Sequence, residues 1–99
     1  MAIQIDPSGR EIELLRRLVR WRGRRVVEIG CGDGRLTLRL AAFRPGSLHA
    51  MDPDRRQVAR GRSALPRRHA ELISYRVGKA ESLPYRAAEF DCAVFSWAL

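Results

Sequence analysis

Val26-Val27-Glu28-Ile29-Gly30-Cys31-Gly32-Asp33-Gly34 decides the reading of this 99-residue chain, because it joins a buried-strand pattern to a glycine-rich turn that carries an acidic residue. Glycine at alternate positions admits φ > 0 and removes Cβ atoms, so the backbone turns sharply and a ligand can approach its N–H groups closely. That is the form of a nucleotide-type cofactor site.

Working outward, Ser8-Gly9-Arg10-Glu11 fits a capping box. Ile12, Leu15, Leu18, Val19 and Arg22 then follow helical spacing, which predicts a helix from about Ser8 to Arg22 that Gly23 ends. Arg25 to Ile29 reads as a short strand of the kind buried on both faces of a parallel sheet. After the glycine turn, Leu36, Leu40 and Phe43 share one helical face, Ala41 and Ala42 favour helix, and Pro45-Gly46 supplies the stop. Leu36 to Leu40 also alternates like a strand, but so short a connection cannot return a strand parallel to its predecessor.

Ser47 to Met51 is the second predicted strand, and Asp52-Pro53-Asp54 opens a helix whose Val58, Ala59, Arg62 and Leu65 share one side until Pro66 closes it. Ile73 to Val77 reads as a third strand, Gly78 to Ala88 as an irregular link containing Pro84, and Phe90 to Trp97 as a fourth, strongly apolar strand. Strands alternating with helices predict an α/β, doubly wound, Rossmann-like parallel sheet of about four strands with flanking helices, forming one domain over residues 1–99.

Composition narrows the function classes. An apolar fraction of 45% is that of an ordinary globular domain, and no run approaches a membrane span or a signal peptide, so a soluble cytoplasmic protein is expected. Cys31 and Cys92 are far apart and lack metal-ligand spacing, which points to reduced packing residues and to no metal. His49 and His69 stand equally isolated. The net charge of +8 favours polyanions, and every basic residue except Lys79 is arginine, so an arginine-rich nucleic-acid-binding module is one alternative. The arginine pairs at 16/17, 24/25, 55/56 and 67/68 are nevertheless spread along the chain with little aromatic interleaving, and solvated helix faces are the favoured explanation.

In such a sheet ligands bind at the carboxyl ends of the strands. A dinucleotide fingerprint needs glycine or alanine at position 35, where Arg35 stands, so an NAD-binding Rossmann fragment is the weaker reading. Asp52 ends the second predicted strand, 18 residues beyond Gly34, close to the separation at which a carboxylate reaches ribose hydroxyls. Asp-Pro could equally be a helix cap followed by its first residue, and the two roles are compatible.

Glu28 to Gly34, Met51-Asp52-Pro53, and Gly78-Lys79-Ala80-Glu81-Ser82-Leu83-Pro84-Tyr85 followed by Phe90-Asp91-Cys92-Ala93-Val94 together resemble the ordered motifs of class I S-adenosylmethionine-dependent methyltransferases. The resemblance runs from the first helix to Leu99. It implies S-adenosyl-L-methionine as cofactor and methyl transfer to an unidentified acceptor. It places the methionine part of the cofactor against Glu28, Gly30, Cys31, Gly32 and Gly34, the ribose on Asp52 and the adenine beside Pro53, Ala80 and Glu81. Ser96 falls where cofactor and acceptor meet. Lys79 departs from the family, which often has aspartate there; an ammonium cannot accept a hydrogen bond from the adenine amino group.

The family also continues through three further strands and their helices. Relative to that seven-stranded fold, Leu99 ends a truncated domain, which could be a fragment, a truncated product or half of an assembly, inactive alone. Its fourth strand is then expected to expose an apolar edge suited to self-association. No general base is assignable, and Asp33, Glu81 and Tyr85 are read as structural or cofactor-edge groups.

Overall fold

The computed structural model describes residues 2–5, 9–79 and 89–96, with side chains from residue 12 onward except at position 18. In chain order the elements are β1 (Ala2–Ile5), α1 (Gly9–Leu18), β2 (Arg25–Ile29), α2 (Arg35–Ala41), β3 (Ser47–Asp52), α3 (Arg55–Ala64), a 3₁₀ turn (Arg67–His69), β4 (Ile73–Val77) and β5 (Cys92–Ser96). The four expected strands are present as one all-parallel sheet, in the order β5-β2-β3-β4, and β1 joins it on the outer side of β5.

β1 corrects one expectation. The last strand does not expose its edge: Ala2 to Ile5 pair with Ala93 to Ser96, so β5 is an interior strand and β1 takes the edge. Four residues with no local turn signal cannot announce a partner some 90 positions away. Trp97, counted in the fourth predicted strand, lies outside the described residues, as do Ser8 of the expected capping box and most of the Gly78–Ala88 link.

α1 ends at Leu18, earlier than Arg22, because the chain folds Trp21 back into the core. The indole N–H donates to the Leu15 carbonyl at 3.1 Å, while Gly23 serves the following turn at φ 75°. α3 also begins later than Asp52-Pro53 suggests. Asp54 is its cap, accepting from the Arg56 N–H at 2.9 Å. Its buried positions are Val58 and Gly61, and Ala59 is exposed.

One face of the sheet carries the main core. Cys92, Val26, Leu48 and Ile73 lie there in register, packed against Ile12 and Leu15 of α1, Leu36 and Leu40 of α2, and Val58 of α3. Fully buried Leu40 and Leu48 each contribute about 1.5–3 kcal/mol by leaving water. At the entry to the sheet, Asp91 accepts from the Arg25 backbone N–H at 2.8 Å and from its guanidinium, which joins the start of β2 to that of β5. No helix among the described residues is long and apolar enough to cross a membrane.

Candidate functional site

The glycine turn leaves β2 at the centre of the sheet and enters α2. The N–H groups of Gly30 and Cys31 both donate to the Met51 carbonyl, at 2.8 and 2.9 Å, so the turn is stitched to the end of β3. Gly30, Gly32 and Gly34 have φ of 83°, 56° and 94°, a region that side chains with a Cβ rarely adopt. Gly34 is required twice, since a Cβ there would strike the Tyr75 hydroxyl. A Cβ on Gly32 would meet nothing within 4 Å, which leaves the tip of the turn open to a ligand.

Asp52 sits at the end of β3, only 5% exposed. One carboxylate oxygen accepts from the Gly32 N–H and the other from the Asp54 N–H, each at 2.9 Å. The side chain is therefore an anchor of the glycine turn as well as a strand-end acid, and α3 is capped by its neighbour. Each oxygen keeps acceptor capacity for a hydroxyl. Pro53 follows, exposed, and Gly78 donates its N–H to the Asp52 carbonyl at 3.0 Å, which brings the end of β4 to the same place.

Beneath the turn Glu28 is fully buried. Thr37 donates a short hydrogen bond to Oε1, and Ser96 donates to Oε2 at 2.7 Å. Burial raises its pKa above the ordinary carboxylate value; the two hydroxyls oppose that shift and the Asp52 charge adds to it. Burial likewise pushes the Cys31 thiol up, so Cys31 is a packing residue and no nucleophile. Cys31 and Cys92 are both free and buried.

The structure thus brings together Glu28, Gly30, Cys31, Gly32, Gly34, Asp52, Pro53 and Ser96. Ala80 and Glu81 lie outside the described residues, and Lys79 is exposed. Thr37 and Tyr75 are neighbours of the glycine turn that the sequence reading missed. Thr37 is a hydroxyl among the buried positions Leu36, Leu40 and Ala41 of α2, the one polar interruption of that face and the signal that could have singled it out. Tyr75 packs against Gly34 and Gly61, and burial pushes its phenol up to about 12, leaving it protonated at neutral pH.

A parallel sheet with a glycine turn at the carboxyl end of its central strand, tied to an acid on the next strand, defines the Rossmann-like class. Residues 26–99 match the family described as Methyltransferase domain, and the chain belongs to that family. No curated protein matches the sequence significantly.

Among solved structures, the YcgJ protein of Bacillus subtilis is similar in fold, with a TM-score of 0.80 and 23% identity over 92% of this chain and 39% of that one. An S-adenosylmethionine dependent methyltransferase from Mesorhizobium loti gives a TM-score of 0.74 and 26% identity over 90% of this chain and 39% of its own. The [4+2]-cyclase SpnF gives a TM-score of 0.74 and 29% identity over 85% and 32%. The chain therefore spans about two fifths or less of the length of these relatives.

Proposed function

We propose that the chain forms the cofactor-binding part of an S-adenosyl-L-methionine-dependent methyltransferase. The observation that carries this reading is the carboxylate of Asp52 fastened to the N–H of Gly32, which sets a hydroxyl-accepting group beside the open tip of the turn. In this reading Asp52 takes the ribose hydroxyls, and Gly30, Cys31, Gly32 and Gly34 give backbone room to the methionine part. The buried Glu28, which accepts from the hydroxyls of Thr37 and Ser96, forms the floor beneath it. Pro53, Ala80 and Glu81 border the adenine, and Ser96 stands toward the acceptor.

The chemistry supplied when the cofactor is bound is a sulfonium-activated methyl group. Displacement at such a carbon depends chiefly on alignment with the acceptor atom, so the contribution of these residues is to orient and to hold. A competing use of the fold is ring-forming cyclisation, which the likeness to a [4+2]-cyclase favours; retention of the labelled methyl group after turnover separates the two.

Calorimetric titration with S-adenosylhomocysteine tests the binding step. Saturable binding by the wild type and its loss in Gly32→Asp is the expected result. Aspartate tolerates the left-handed backbone better than most residues, but it fills the open tip and sets a second negative charge beside Asp52. A folded wild type with no affinity, as judged by circular dichroism, would overturn the proposal.

A further inference from the structure

A second site lies at the opposite end of the sheet. The segments 21–24 and 43–46, which lead into the amino ends of β2 and β3, pack back to back. Arg22 and Pro45 form an isolated antiparallel bridge, the Gly46 N–H donates to the Arg24 carbonyl at 2.8 Å, and a Cβ on Gly46 would meet the Gly23 oxygen at 2.8 Å. This packing brings Arg22 and Arg44 to the end of α1, beside Arg16 in its last turn and Arg20 just beyond its end. The four arginines line a recess of about 310 Å³ with Phe43 in its wall. The Phe43 ring is held by Trp21, with centroids 5.3 Å apart.

Solvated arginines on a helix are ordinary, but this group departs from that pattern. Its members come from one helix and two separate turns, and among the described residues the only ion pair within it is Arg16 with Glu13 at 3.1 Å. Four guanidinium groups gathered around one recess repel one another. Arg44 has φ 60°, the left-handed conformation that glycine adopts freely and other residues at a cost. Like charges are gathered and a backbone cost is borne around one cavity.

We infer that this recess binds the phosphates of a single-stranded nucleic acid, independently of the cofactor reading. Guanidinium groups match phosphate oxygens in fork geometry, and a half-buried aromatic ring beside them offers a face for a base. A duplex is read by an element that projects into a groove about 12 Å wide, whereas this surface is concave. Its place at the amino ends of the strands, away from the glycine turn, makes it an anchoring site and not the acceptor pocket.

The test is fluorescence anisotropy of the full chain with a labelled, unpaired twelve-nucleotide RNA at several salt concentrations. Neutralising four phosphates gives a slope of log affinity against log salt of about −3, or roughly a 50-fold loss between 50 and 200 mM. Arg20→Gln combined with Arg44→Gln halves the slope and leaves roughly a 7-fold loss. Arg60→Gln with Arg67→Gln removes equal charge elsewhere and is expected to keep the wild-type slope. Circular dichroism establishes that each variant is folded. No binding by the wild type, an unchanged slope in the recess variant, or an equal drop in the control variant would overturn the assignment. So would tighter binding of the matching duplex, or equal displacement of the RNA by polyglutamate or by phosphatidylserine vesicles at equal charge.

Discussion

Glu28 carries an electrostatic cost in the ligand-free protein. Burial raises its pKa above that of the unfolded chain, so the stability linked to it is complete below the ordinary carboxylate value of 4.5 and is lost as pH climbs through the folded-state value. Thermal melts of the wild type should therefore show Tm declining as pH rises out of the acid range, with Glu28→Gln flattening that part of the profile and raising Tm at neutral pH. An identical pH profile in the variant would mean that Glu28 does not titrate as its burial demands. The same substitution exchanges one of the two oxygens that accept from Thr37 and Ser96 for an amide that can only donate, so affinity for S-adenosylhomocysteine should fall while stability rises.

Among the elements, α3 shows how two neighbouring aspartates divide their work. Asp54 caps the helix, and Asp52 holds the glycine turn. Asp54→Ala should cost about 1 kcal/mol, a fall in Tm of roughly 4–8 °C, with little change in affinity for the cofactor analogue. A cap assigned to Asp52 instead would reverse that pattern. From sequence, Asp-Pro-Asp offers either aspartate as a cap, and only the contact with a turn 20 residues earlier tells them apart. The glycine turn and β2 were legible because strand pattern and turn chemistry are local. Thr37 and Tyr75 were not, since each looks like an ordinary member of its own element and gains its role from what tertiary packing sets opposite. The arginine recess was hidden for the same reason, its residues reading as scattered pairs until two turns close upon each other.

For the whole molecule, strand order sets which parts open first. With β1 and β4 at the edges, amide exchange should be slowest in β2, β3 and β5 and faster in the two outer strands. Edge-like exchange in β5, measured by mass spectrometry, would contradict its pairing with β1. The bond between Ser96 and Glu28 joins residues 68 positions apart, and β2 takes its second neighbour only from residues 92–96. A ribosome adding about 5–20 residues per second needs roughly 3–13 s to deliver that neighbour after β2 has been made. Throughout that interval the nascent chain has one flank of its central strand unpaired and the buried carboxylate without one of its two hydroxyls. Chaperone capture therefore has its widest opening before β5 arrives.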